Sequence, residues 1–425
     1  MKEIYNERFQ ERYYTEILDN GLQVVLWQKP DFEKSFFLMA TPLGALDLNQ
    51  EGEGKTYCFP AGIAHFLEHK MFEDEDKDVM ELFAKMGANV NAFTSYHETA
   101  YYFSSTKDPK EPLNLLLDFV QELKITEESV EKEKGIIIQE LEMYQQMSDA
   151  RIINETLQAL YKEHPLIYDI GGDAESVTAI TKSQLEQCYN LNYHPSRMVL
   201  IGVSGSDPET LMETIKENQS KKPFVPITKV KRKEYQEQIQ VNEKKRQIFM
   251  DVSIPKINLS FKMEGIADAH ERNRMEWCYK MLFDLYFTSL NPKFQSWLDE
   301  EIINDSFYFE IDFGSDYGLI MFYSETNKIN PFKDMIFNVL RQIDDIDENK
   351  LSLLRKRYFG QNINALNDHK KIAVNYMRNY FAGLDFFSSL EVVENIQKQD
   401  LLDAVKRIQR NHYSEVVIYP NASNT

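Results

Sequence analysis

The pentapeptide His65-Phe66-Leu67-Glu68-His69 constrains this chain more than any other feature. The apolar spacing of Ile63, Phe66, Leu67 and Met71 after Pro60 predicts a helix there. Residues four apart on a helix share one face, so His65 and His69 would present two imidazoles side by side. That spacing holds one zinc ion, with metal–nitrogen bonds of about 2.0–2.1 Å. Glu68 follows the first histidine by three residues and lies on nearly the same face. It can reach a water beside the metal without being a ligand. Zinc moves the pKa of such a water towards ~7, and a neighbouring carboxylate can take its proton.

The order H-x-x-E-H is the inverzincin signature, with the Glu reversed relative to H-E-x-x-H. Only eight histidines occur in 425 residues, so a chance match is on the order of one in a hundred. The plain alternative is an amphipathic helix with two histidines in a polar cluster. Catalytic zinc also needs a third protein ligand and an open position. A second predicted helix opens at Thr126-Glu-Glu-Ser, with acidic residues suited to a helix N-terminus. It carries Glu133 and Glu140, seven residues apart and hence on one face. The run Ile136-Ile137-Ile138 predicts that this helix is buried, and spacing alone leaves Glu133, Glu140 and Glu142 as candidates.

The rest of the sequence sets broader limits. The formal charge is 48 − 68 = −20, which argues against nucleic-acid binding and against an anionic membrane surface. No apolar run reaches the ~20 residues of a membrane-spanning helix, so no membrane insertion is expected. The first residues lack the apolar core of a secretory signal. Cys58, Cys188 and Cys278 are odd in number and widely spaced, and read as free thiols in a reducing compartment. A cytoplasmic location follows as the expectation. Length predicts two or three compact units. Strand patterns at 22–27, 35–41 and 198–203, interleaved with helices, make up residues 1–220; an interrupted strand pattern runs from Asn89 to Ser105. The Pro- and Lys-rich stretch 221–236 reads as a linker, and 237–425 again alternates strands and helices. Two halves of similar content hint at a duplicated unit.

The chain resembles the pitrilysin, insulin-degrading-enzyme and mitochondrial-processing-peptidase family. The resemblance is carried by Leu18-Asp-Asn-Gly-Leu-Gln-Val24, Gly62 through Phe72, Gly87-Ala-Asn-Val-Asn-Ala-Phe-Thr-Ser95, Thr99-Ala-Tyr101 and Glu133 to Glu140. Gly171, Tyr193-His-Pro195 and Met198-Val-Leu-Ile-Gly202 extend it. It implies an α+β fold: two homologous α/β sandwich domains, each a sheet covered by helices, forming one half of a clam-shell peptidase. It implies His65, His69 and Glu140 as ligands of one zinc ion, Glu68 as general base and Glu133 as the carboxylate that orients a ligand. It also implies that Asn91, Ala92, Phe93 and Thr94 bind substrate by adding an extended peptide to a strand edge. The alternative for that segment is an ordinary structural strand.

One departure matters. Members of the family carry an Arg and a Tyr in a later domain, where a donor stabilises developing negative charge on the scissile carbonyl. The matching stretch, Phe294 to Phe307, offers Asp299 in place of the Arg and Ser306 or Phe307 in place of the Tyr. No Arg occurs between Arg274 and Arg341. The expectation is therefore a zinc endopeptidase acting on extended peptides, such as a leader or precursor, as the catalytic subunit of a heterodimer. A homologous partner chain would supply the Arg/Tyr pair. The competing expectation is a non-catalytic assembly subunit that retains the fold and zinc site.

Overall fold

Every residue of the strand Ser35–Thr41 is buried, and so is every residue of Val199–Ser204, as continuous apolar runs require when both faces of a sheet are covered. The computed structural model describes residues 1–74 and 77–421. It divides into two compact units, one of 1–142, 168–233 and 363–382, the other of 143–167, 234–362 and 383–425.

In the first unit, strands β1 (Lys2–Asn6), β2 (Glu11–Ile17), β3 (Gln23–Gln28), β4 (Ser35–Thr41), β9 (Ala88–Thr94), β10 (Thr99–Ser105) and β11 (Val199–Ser204) form one sheet in the order β1-β2-β3-β11-β4-β10-β9. Only β3 and β11 run parallel. The turn at Asp19-Asn20-Gly21 precedes β3, and the interrupted pattern between Asn89 and Ser105 is the antiparallel hairpin of β9 and β10. A small second sheet contains β5 (Asn49–Gly52), β6 (Lys55–Cys58) and β12 (Lys231–Arg232). A two-residue ribbon pairs β7 (Glu73–Asp74) with β8 (Lys77–Asp78). The expected linker, 221–236, thus contains a strand: β12 pairs with β5, and Arg232 binds Asp47 through both Nε and an Nη.

The helices of this unit are α1 (Ile63–Met71), α2 (Val79–Lys85), α3 (Lys110–Val120), α4 (Glu127–Gln146, whose last turn falls to the other unit), α6 (Ala174–Ala179), α7 (Lys182–Asn192), α8 (Pro208–Ser220) and α13 (His369–Ala382). Alternation along the strands sorts the side chains. Val24, Leu26, Phe37 and Met39 join the core with α1, α3, α7 and α8. Val25, Trp27, Phe36, Leu38 and Ala40 are equally buried on the opposite face, where α13 lies against β4 and β11 and Tyr376 meets the rings of Tyr13 and Trp27.

The second unit repeats this plan. Strands β13 (Lys245–Met250), β14 (Lys256–Met263), β15 (Tyr308–Phe313), β16 (Gly318–Glu325) and β17 (Tyr413–Pro420) are ordered β13-β17-β14-β16-β15, with only β13 and β17 parallel. Position by position this matches β3-β11-β4-β10-β9. Its helices are α5 (Ser148–Leu160), α9 (Ala269–Phe287), α10 (Phe294–Asp299), α11 (Ile329–Gln342), α12 (Glu348–Ala365), α14 (Ser388–Asn395) and α15 (Lys398–Arg407). The fold is α+β with two homologous domains. The division at 221–236 differs from the observed one because α5 packs on β14 and β17 of the second sheet, and α13 on the first. Each sheet receives a covering helix from the other half of the sequence.

Glu276 on α9 is the second unit's most perturbed carboxyl. Burial pushes it up to about 7, the nearby Asp312 adds to this, and Arg272 and the Phe313 N–H oppose it. A carboxyl raised in the folded state favours folding fully below its unfolded pKa of 4.5, and that contribution is lost as pH rises through about 7. Glu276→Gln is therefore expected to stabilise the protein above pH 7 by on the order of 1–2 kcal/mol, with little effect at pH 4.5. Thermal melts across this window check it; a pH-independent difference between variant and wild type would refute it.

Candidate active site

Helix α1 begins at Gly62, whose φ of 85 is left-handed. A Cβ at Gly62 would sit 2.2 Å from the Gly171 carbonyl oxygen, so only glycine lets these two backbones meet. Along α1, Ile63, Ala64, Phe66, Leu67 and Met71 are buried, which fixes the rotation of the helix and turns His65, Glu68 and His69 to the opposite side. Helix α4 is secured at its start by reciprocal bonds between Thr126 and Ser129. It is anchored by Val130, Ile137 and Leu141. Within the isoleucine run only Ile137 is fully buried, and Ile136 is 45% exposed, because a helix turns the three residues to different sides.

The two helices bring His65, His69 and Glu140 together, with one ligand atom from each lying within 4.8 Å of the others. Glu140 Oε2 is 4.0 Å from His65 Nε2 and 3.5 Å from His69 Nε2. Glu133 takes a different position: its Oε1 lies 3.0 Å from Nδ1 of His69. A ligating imidazole is commonly held this way, with the second ring nitrogen donating to a carboxylate. Glu142 is exposed and outside the cluster. Glu68 is also outside it, and its Oε2 accepts a 2.6 Å hydrogen bond from the Thr94 hydroxyl.

The electrostatics suit a cation. Burial, reinforced by His69, pushes His65 down to about 4, so this imidazole keeps a lone pair at neutral pH. Burial works to lower His69 too, but its bond to Glu133 and the charges of Glu133, Glu140 and Glu68 outweigh this and raise it. Burial raises Glu68, with the Thr94 bond opposing. Two imidazoles and a carboxylate are the donor set of a catalytic zinc site. The residues present fit one zinc ion.

The sheet order ends at β9, which pairs only with β10 among the described residues. Asn91, Ala92, Phe93 and Thr94 therefore lie on an edge strand, and Thr94 at its end touches Glu68. Sequence reasoning missed that contact, since nothing in the pattern shows which way the hydroxyl points. Arg378 of α13 pairs with the buried Glu98 at 3.0 Å, consistent with a packing role. His97 is 2.6 Å from Arg232. The stretch that departs from the family pattern forms α10 and the turn after it. There Asp299 is exposed and accepts a hydrogen bond from Gln295. No described helix is long and apolar enough to cross a membrane.

Comparison with known proteins gives a consistent picture. The family model described as insulinase (peptidase family M16) matches residues 60–174, and the peptidase M16 inactive domain matches residues 179–358. The chain is 36% identical over 410 residues to the zinc protease YmfH of Bacillus subtilis (strain 168), covering 96% of each. It is 25% identical over 347 residues to the mitochondrial-processing peptidase subunit beta of Neurospora crassa, covering 77% of this chain and 69% of that one. An M16-like peptidase from Alicyclobacillus acidocaldarius superimposes with a TM-score of 0.92 at 32% identity, covering 97% of this chain and 99% of the other.

Proposed function

Because the chain belongs to peptidase family M16, the insulinase family of zinc peptidases, we propose that it is a zinc endopeptidase acting on extended peptides as the metal-bearing subunit of a heterodimer. The observation that carries this reading is the convergence of His65, His69 and Glu140, with Glu68 bonded to Thr94 at the end of β9, which pairs only with β10 among the described residues. His65, His69 and Glu140 would hold the ion, and Glu133 would keep His69 in the tautomer that offers Nε2. Zinc, when bound, supplies Lewis acidity that polarises a carbonyl and acidifies water.

The remaining work falls to the chain's own groups. An extended peptide adds to the free edge of β9 through main-chain hydrogen bonds, which demand little of its side chains. Thr94 engages Oε2 of Glu68, leaving Oε1 to take a proton from the attacking water and return it to the departing amine. No Arg follows Arg274 until Arg341, which supports a partner chain as the source of the donor for the developing oxyanion. The Neurospora relative is itself named a subunit. Three thiols without a disulfide support a cytoplasmic location. A leader or precursor peptide is the substrate we favour.

The test is to purify the chain alone and with a homologous chain of the same organism that lacks the zinc motif, then measure zinc content and cleavage of a panel of unstructured peptides. One zinc per chain is expected, with efficient cleavage only from the pair. Full activity from the chain alone would overturn the heterodimer. Zinc without cleavage in either preparation would favour an assembly subunit instead.

A further inference from the structure

Lys70 directly follows the second histidine of the motif, yet its side chain is completely buried, at 0% exposure. An ammonium group is rarely placed there unless its donors are engaged. Its partners are the Glu73 carboxylate, the Ser129 carbonyl at 3.2 Å and Glu133 Oε2 at 3.9 Å. Lys70 stands on α1 with both histidines, whereas Ser129 and Glu133 stand on α4 with Glu140. The other oxygen of Glu133 is the one on His69 Nδ1. The contacts therefore run from Lys70 to Glu133 to His69 and also cross directly between the two helices.

We infer that Lys70 is a positioning residue for the metal site, pinning the first turns of α4 to the end of α1 and holding Glu133 so that it orients His69. The inference rests on the zinc reading of the site. Burying an ion pair contributes little net stability over apolar packing, so stability alone does not account for a lysine here. A charge with donors pointing in several directions does what an apolar side chain of the same length cannot. It fixes a carboxylate and a backbone carbonyl at once. Glu73 and Glu133 are themselves in hydrogen-bond contact, and the Lys70 ammonium is the positive charge shared by the two carboxyl groups.

The experiment uses the full chain and zinc itself as the probe. Zinc affinity is measured by competition with a chromophoric chelator, and the cobalt(II)-substituted protein supplies an absorption spectrum that reports ligand geometry. Lys70→Met keeps the length and removes the charge, and is expected to weaken zinc binding by about 10–100-fold and to shift the cobalt spectrum. Lys70→Arg is expected to recover about half of that loss on a logarithmic scale. A folded Lys70→Met protein with zinc affinity within about twofold of wild type and an unaltered spectrum overturns the proposal. If Lys70→Met does not fold, Glu73→Gln decides: about 3–10-fold weaker binding is expected, and unchanged binding overturns the inference. A wild-type chain that takes up no zinc would instead defeat the zinc reading itself.

Discussion

Glu68→Gln is expected to lower peptide hydrolysis by about 10²–10⁴-fold while zinc content remains at the wild-type level. The two halves of this expectation come from separate observations. Glu68 contributes no atom to the His65, His69 and Glu140 cluster, so neutralising it leaves the donor set intact. Its carboxylate is partly buried and engaged by Thr94 at 2.6 Å, and a glutamine of nearly the same shape can still accept that bond. The amide cannot take a proton from water, and this is the lost step. The measurement is zinc stoichiometry beside initial rates, made on the active preparation, whether chain or pair. Activity above about a tenth of wild type would remove Glu68 from the role of base. Loss of zinc would mean that Glu68 supports the metal after all. His69→Ala makes the contrast, since it removes a donor outright.

Gly62→Ala, although it removes no ligand, is expected to destabilise the protein by at least about 2 kcal/mol. Alanine at a φ of 85 is strained, and its Cβ would lie 2.2 Å from the oxygen and 2.7 Å from the carbon of the Gly171 carbonyl. Gly171 cannot retreat easily. A Cβ built on it already comes within 2.8 Å of Leu141 and 3.3 Å of His65 Nδ1, so the backbone there is wedged against the first ligand. The substitution should therefore weaken zinc binding as well as lower the melting temperature. Denaturation with and without zinc measures both. Unchanged stability would show that the loop at Gly171 is free to yield.

These cases show what the sequence reveals and where it stops. The spacing of His65, Glu68 and His69 assigns them to one face because helical periodicity is a local property. The same periodicity places Glu133 and Glu140 on one face but says nothing of depth. Glu140 faces the imidazole Nε2 atoms and Glu133 the far side of one ring only through the packing of α4 against α1. The strand β14 went unread for a different reason. All eight of its residues, Lys256 to Met263, are buried, including two lysines. Lys262 is paired with Glu237, and Lys256 with Asp149 and Glu325. Buried charges with partners elsewhere in the chain look like surface positions to any pattern based on hydropathy. The strand at Lys231–Arg232 was hidden likewise, because its partner lies some 180 residues earlier.

The reciprocal placement of α5 and α13 has a consequence for how the protein is made. Every residue proposed for the chemistry lies before position 141, yet the helix that covers one face of that sheet spans His369–Ala382. During synthesis the sheet of the first unit must wait, with Val25, Phe36 and Leu38 uncovered, until the helix His369–Ala382 has left the ribosome. The first 236 residues alone would keep every ligand and lack a wall. The protein is thus two domains by architecture but one unit of inheritance, since neither half can be cut out, swapped or duplicated without taking a helix from its neighbour.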